Sequence, residues 1–263
     1  LSLMNEPEMK GERQSPAAGD IRFEHVSFAY QDKEVLHDIN ITLPKNSLTA
    51  LVGPSGSGKS TVMKLCARFY DPQKGCIFFN GVPMNEINPE SLMSHISMVF
   101  QDVYLFQDTI RNNIRFGKTD ATEEEIIAAA KKACCHDFIM RLPKGYDTLV
   151  GEGGCTLSGG EKQRISIARA MLKDAQIILL DEATASLDPE NEVEVQKAID
   201  TLIKGRTVIA IAHRLKTIKD ADQIIVLDNG RIKEEGTHDE LVRNEGLYAH
   251  LWNIQESISG WKL

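Results

Sequence analysis

One short string of residues constrains the fold of this chain more than any other, and it reads Gly53-Pro-Ser-Gly-Ser-Gly-Lys-Ser60. It fits the pattern G-x-x-x-x-G-K-S, lies directly after the apolar run at residues 48–52, and precedes a helix predicted over residues 59–70. Glycines let successive backbone N–H groups turn toward an anion, and the positive end of the following helix points at the same place. The strand, loop and helix together predict a phosphate-binding loop at the end of a parallel strand.

The residues of this loop have separate predicted roles. Lys59 is expected to contact the β- and γ-phosphates of a nucleotide, and Ser60 is expected to bind Mg²⁺ through its hydroxyl. A flexible Gly/Ser turn is the alternative interpretation, which the flanking strand and helix disfavour. The predicted nucleotide-binding residues of the loop are Gly53, Pro54, Ser55, Gly56, Ser57, Gly58, Lys59, Ser60 and Thr61.

A second element is the apolar run at residues 177–180, which ends in the two carboxylates Asp181 and Glu182. A buried strand of this kind delivers carboxylates to the edge of a sheet. Asp181 is expected to hold Mg²⁺, directly or through water, because this ion prefers oxygen ligands. Glu182 is expected to polarise the water that attacks the γ-phosphate. The alternative is a strand that simply ends in solvated acids.

A third element is Leu157-Ser-Gly-Gly-Glu161, which opens a predicted long helix. Ser158 is a suitable N-cap, and the backbone amides of Gly159 and Gly160 can form a concave anion site. An ordinary capped helix start is the alternative interpretation for this string in isolation.

These three elements, in this order, resemble the ATP-binding cassette of ABC transporters over roughly residues 20–250. The resemblance implies ATP and Mg²⁺ as cofactors. It also implies that two cassettes pair head to tail, so that each closes Ser158, Gly159, Gly160 and Glu161 on the γ-phosphate held by the other. The commonest form of the family has glutamine where this chain has Glu161.

The resemblance assigns further roles by position. Gln101 would contact the metal or the attacking water, His213 would contact the γ-phosphate, and Tyr30 would stack on adenine. Asp188 matches the loop through which the two sites sense each other. The alternatives are a loop amide, a structural histidine, a surface tyrosine and a helix N-cap, respectively. The predicted catalytic residues are therefore Glu182, His213, Gln101 and Lys59, and the predicted metal ligands are Ser60, Gln101 and Asp181.

The pattern of elements predicts an α/β fold: a P-loop NTPase (RecA-like) parallel-sheet core, an N-terminal antiparallel β subdomain and an inserted α-helical subdomain at about residues 103–170. No strand is predicted between residues 108 and 172. Residues 1–19 read as a linker from a membrane domain outside this sequence, residues 20–252 as the ATPase domain and residues 253–263 as a C-terminal tail.

Composition narrows the function further. A net charge of −8 and a pI of about 5.4 argue against a nucleic-acid partner. No apolar run approaches the roughly 18–20 residues that span a bilayer. The five cysteines lack metal-ligand spacing and predict reduced thiols. Because the chain begins with Leu, we expect it to be a piece of a longer protein at the cytoplasmic face of a membrane.

Several strings look like the exporter subgroup of the family, among them residues 106–114, 150–154 and 235–241. In that subgroup Glu152 and residues 103–106 face the membrane domain. A packed turn is the alternative interpretation for residues 103–106. The predicted function is an ATP-hydrolysing domain of an ABC exporter that dimerises around two Mg-ATP. Its expected partners are an identical or related cassette and a membrane domain in the same polypeptide. An importer cassette, a soluble ABC ATPase and a non-catalytic nucleotide-binding regulator are the alternatives.

Overall fold

The computed structural model describes residues 9–154, 156–181, 189–212 and 214–259. The chain divides into two compact units, one formed by Leu1–Ile96 with Ile209–Leu263 and the other by Ser97–Val208. Its strands are β1 Ile21–Tyr30, β2 Lys33–Leu43, β3 Leu48–Val52, β4 Lys74–Phe79, β5 Val82–Pro83, β6 Ile96–Val99, β7 Asp108–Thr109, β8 Leu149–Val150, β9 Ile177–Asp181, β10 Thr207–Ile211, β11 Gln223–Asp228 and β12 Arg231–Gly236.

Nine α-helices accompany these strands in the described ranges. They are α1 Lys59–Cys66, α2 Pro89–Ser94, α3 Ile110–Arg115, α4 Glu123–Lys132, α5 His136–Arg141, α6 Gly159–Lys173, α7 Pro189–Ile203, α8 His238–Arg243 and α9 Leu247–Ser259. Among the residues that can be described, no helix has the length and apolar character needed to cross a bilayer.

The first unit contains an antiparallel sheet of order β2-β1-β4-β5. Alternation of apolar and polar residues puts Ile21 and Phe23 of β1 in the interior, and a register shift after Phe23 buries Val26 as well. Ile21 pairs with Leu43 on β2 and with Phe79 on β4. This is the antiparallel subdomain that the sequence predicts.

The same unit contains parallel strands. β11 pairs in parallel with β3, so that Val226 lies beside Val52, and β12 adds an antiparallel edge to β11. β10, which spans the boundary of the unit, neighbours β3 on its other side. The apolar runs of β3 and β11 are buried on both faces, as parallel strands covered by helices require.

The second unit orders its strands β10-β9-β6 and packs five helices. Thr122 caps helix α4 through a reciprocal capping box with Glu125. The prediction of no strand between residues 108 and 172 is wrong, because β7 and β8 form a short antiparallel pair. Two-residue strands are too short to leave an alternating pattern in a sequence.

The helix predicted over residues 59–70 also ends early, at Cys66. Ala67 is its C-cap, and Arg68 adopts a left-handed backbone conformation with a φ of 51°. That turn directs the guanidinium of Arg68 into the interior, where it donates to the carbonyl oxygens of Lys10 and Asn85. Because these contacts satisfy the buried charged group, the chain leaves the helix here.

Candidate active site

The phosphate loop lies in the first unit, between the end of β3 and the start of α1. Gly53, Gly56 and Gly58 all have positive φ, at 148°, 76° and 106°. A Cβ at Gly53 would lie 2.0 Å from the carbonyl oxygen of Leu227, and one at Gly58 would lie 2.6 Å from Leu36 Cδ2. Only glycine therefore fits both positions, and the loop keeps the tight path that the sequence predicts.

Lys59 is buried beneath this loop, with 6% of its surface exposed. Its Nζ donates to the carbonyl oxygens of Gly53 at 2.9 Å and Pro54 at 2.8 Å. The ammonium group is thus held inside the curve of the loop rather than extended into solvent. Pro54 and Gly56 are exposed above it.

The start of α1 is suited to an anion. Its N-cap, Gly58, has no side chain with which to cap the first-turn N–H groups, and no acidic residue occurs in the first turn. The first N–H groups of a helix lack partners within the helix, and together they carry partial positive charge. With Lys59 alongside and Ser60 exposed, these residues fit a nucleotide phosphate with its metal ion.

Gly53 allows a direct test of this loop geometry. Gly53→Ala should lower the free energy of unfolding by about 3 kcal/mol or more, because the new Cβ would overlap a backbone oxygen of β11. Gly56→Ala is the matched control: its Cβ has nothing within 4 Å, so only backbone strain of about 1 kcal/mol remains. Urea denaturation would measure both changes, and equal losses would contradict the close approach to Leu227.

Tyr30 ends β1 in the same unit. The rings of Phe28 and Tyr70 lie edge-on to its ring at centroid distances of 4.8 and 5.3 Å, and Lys64 Nζ lies 5.6 Å from its centroid. Within the described ranges its buried hydroxyl has no hydrogen-bond partner. The neighbouring rings fix the plane of Tyr30, while its contact with adenine stays a prediction.

In the second unit, residues 158–161 open α6 through a capping box. Ser158 Oγ accepts from the N–H of Glu161 at 3.2 Å, and Glu161 Oε2 accepts from the N–H of Ser158 at 2.8 Å. Glu161 thereby places a carboxylate at the positive end of the helix, which is favourable. Glutamate and glutamine both carry a side-chain oxygen that can accept this hydrogen bond, so either residue can complete the capping box.

The two glycines of this segment do not have the same surroundings. A Cβ on buried Gly160 would lie 2.4 Å from Asn191 Cβ, so glycine lets α6 approach α7 closely at this point. The predicted role of Gly159 and Gly160 amides in binding phosphate stays a prediction.

Gln101 and Asp181 lie at the ends of strands in the second unit. Gln101 is exposed two residues after β6, and Asp181 is the last residue of β9, behind four buried apolar residues. The carbonyl oxygen of the preceding Phe100 accepts from Gln163 Nε2 at 3.2 Å. Gln163 is 3% exposed, and its position on the buried face of α6 is the signal that could have identified it.

Glu182, Asp188 and His213 lie outside the described residues, as does Cys155. The side chain of Glu152 also lies outside the description. The other four cysteines are free thiols, and burial raises the pKa of the Cys135 thiol to about 12.

The family model for ABC transporters matches residues 36–185, more than half of the chain. This chain belongs to the ABC transporter family. The match begins in β2 and ends at residue 185. It therefore includes the phosphate loop, Gln101, residues 158–161 and the two carboxylates Asp181 and Glu182. It identifies the chain as an ABC nucleotide-binding domain.

Relatives and solved structures agree on the type of cassette. An ATP-dependent lipid A-core flippase of Legionella pneumophila (strain Paris) is 52% identical over 239 residues, which are 90% of this chain and 41% of the flippase. The ABC transporter aclQ of Aspergillus oryzae is 52% identical over 90% of this chain and 30% of its own length. This ABC domain therefore spans less than half the length of these relatives.

The structure of a bacterial Atm1-family ABC exporter with ATP bound matches the cassette with a TM-score of 0.89 and 44% sequence identity. The match covers 95% of this chain and 45% of the exporter. The predicted fold class is confirmed, and the cassette is of the exporter type rather than the importer type.

An exposed aromatic surface lies on the second unit of this cassette, formed by Tyr104, Phe106 and Phe116, which are 54%, 44% and 64% exposed. Leu105 between them is fully buried, so the segment predicted to face a membrane domain is part core and part surface. The guanidinium of Arg169 lies 5.6 Å from the Phe106 ring and 5.9 Å from the Phe116 ring, and burial lowers its pKa to about 10. Three aromatic residues exposed together are typical of a contact surface.

Proposed function

We propose that this cassette binds and hydrolyses ATP and that hydrolysis drives transport by a membrane exporter. The phosphate loop carries the proposal. A Cβ at Gly53 or Gly58 would overlap neighbouring atoms, Lys59 is buried inside the loop, and the helix directly behind it begins without a side-chain cap. This combination suits the triphosphate of a nucleotide, because positive charge and N–H donors converge on one point.

Each functional residue then has a task in hydrolysis. The loop and Tyr30 bind the nucleotide, and Ser60, Gln101 and Asp181 provide the oxygen ligands that Mg²⁺ prefers. When bound, the ion neutralises charge on the phosphates. Glu182 accepts a proton from the attacking water, and His213 stabilises the γ-phosphate. Catalysis of this kind consists mainly of positioning and electrostatic stabilisation.

The proposed partner of the cassette is a second cassette, identical or related. Residues 158–161 of each would close on the γ-phosphate held by the other, and the capping box supports this role because it sets the backbone at the start of α6. Binding of ATP to the closed form stabilises the pair by mass action, so association should depend on nucleotide.

The other proposed partner is a membrane domain in the same polypeptide, which would place the cassette at the cytoplasmic face of a membrane. The aromatic surface supports this, as do relatives named as a lipid A-core flippase and an Atm1-family exporter. The membrane domain would cover Tyr104, Phe106 and Phe116 and would transmit the motion of the cassettes to the transport pathway.

An ATPase assay of this chain tests the proposal. Purified protein should release inorganic phosphate from ATP with Mg²⁺ present and should lose this activity when EDTA removes the metal. A chain that binds ATP tightly and releases no phosphate would instead support the non-catalytic regulator.

A further inference from the structure

The C-terminal helix α9 packs on the turn that follows β10. This 3₁₀ turn, Leu215–Ile218, buries Leu215 and Ile218 in the same apolar cluster as Tyr248 of α9. Leu251 and Trp252, one helical turn further along α9, pack against the cluster. The helix and the turn therefore share one core.

A polar contact joins the two elements more specifically. The backbone N–H of Leu215 donates to Gln255 Oε1 at 2.8 Å, across 40 residues of sequence. The N-cap of the turn, Arg214, supplies no side-chain cap of its own. Gln255 thus performs from another helix the task that a local capping residue usually performs. Next to it, Lys216 pairs with Glu256 at 2.9 Å.

The chain just before the turn is anchored as well. The N–H of Ala212, which follows β10, donates to the carbonyl oxygen of Leu51 on β3 at 3.3 Å. In the sequence only His213 and Arg214 separate this anchor from Leu215. The described residues on the two sides of His213 are therefore each anchored, Ala212 by the sheet and Leu215 by Gln255.

We propose that Gln255 is a positioning residue for ATP hydrolysis, acting through Leu215 on the segment that carries His213. The inference rests on the proposed ATPase function. Hydrolysis is sensitive to small displacements of a group that acts on the reacting phosphate, whereas ground-state binding of ATP depends mainly on the phosphate loop, where Lys59 is held. Loss of the Gln255 contact should therefore lower kcat and leave KM for ATP unchanged.

Three variants separate this role from simple packing. Gln255→Leu keeps the size of the side chain and removes the acceptor, while Gln255→Glu keeps an oxygen acceptor for the Leu215 N–H. Asn253→Ala is the control, since Asn253 is exposed on the same helix. Steady-state ATPase kinetics of the full chain would give kcat and KM, and thermal unfolding would report stability.

We expect Gln255→Leu to lower kcat about 5- to 10-fold, the factor associated with one hydrogen bond, with KM unchanged. Gln255→Glu should recover most of the rate, and Asn253→Ala should match the wild type. The inference would be overturned if Gln255→Leu kept the wild-type kcat, if Gln255→Glu were equally impaired, or if KM and thermal stability changed along with kcat. A wild-type chain without ATPase activity would overturn the proposed function itself and this inference with it.

Discussion

Lys59→Ala should abolish ATP hydrolysis and weaken ATP binding, with a loss in kcat/KM of about 10²-fold or more. The reason is the position of its ammonium group, which is buried within the phosphate loop and hydrogen-bonded to two of its carbonyl oxygens. A charge in such a water-poor site acts on a phosphate far more strongly than it would in bulk water. Removal would also leave those carbonyl oxygens without this donor.

Lys45→Ala is the matched control for this variant, because Lys45 is an exposed lysine of the same unit, in the turn after β2. It removes the same formal charge and should hydrolyse ATP at the wild-type rate. Isothermal titration with ATP and a phosphate-release assay would measure both variants. Wild-type hydrolysis by Lys59→Ala would contradict the assignment of the loop.

Glu182→Gln should lower kcat by about 10²-fold or more and leave ATP binding intact. Glutamine is nearly the same size as glutamate but cannot accept a proton from the attacking water, so only the chemical step should suffer. The sequence places Glu182 directly after Asp181, the last residue of the buried strand β9. ATP binding by the phosphate loop does not require this carboxylate.

The control for Glu182→Gln is Glu124→Gln, which removes an exposed carboxylate from α4, in the same unit as β9. A single-turnover assay with Mg-ATP would separate the chemical step from product release. If Glu182→Gln hydrolysed ATP at the normal rate, Glu182 would not be the base.

The parts of the site that depend on local sequence could be predicted before the structure. The glycines of the phosphate loop, Lys59 within it and the capping box of Ser158 with Glu161 all act within a few residues of one another. Their spacing in the sequence is therefore enough to predict which of these groups contact one another. The short apolar strands β3 and β9 are likewise found where the sequence predicts them.

Features that depend on distant residues could not be predicted in this way. The end of α1 follows from the burial of Arg68 against the carbonyl oxygens of Lys10 and Asn85, which no local pattern reveals. Gln163 reaches the carbonyl oxygen of Phe100 across 63 residues, and Gln255 reaches Leu215 across 40. A sequence shows that such polar residues lie on buried helical faces but does not show which backbone group they meet.

The central claim is that two copies of this cassette close around ATP, and the mass of the Glu182→Gln protein tests it most directly. Light scattering should give the mass of a monomer without nucleotide and of a dimer with saturating Mg-ATP, because the slowed variant retains the ligand that stabilises the pair. The Lys59→Ala/Glu182→Gln double variant should stay monomeric at the same ATP concentration. A Glu182→Gln protein that binds ATP and remains a monomer would contradict the claim.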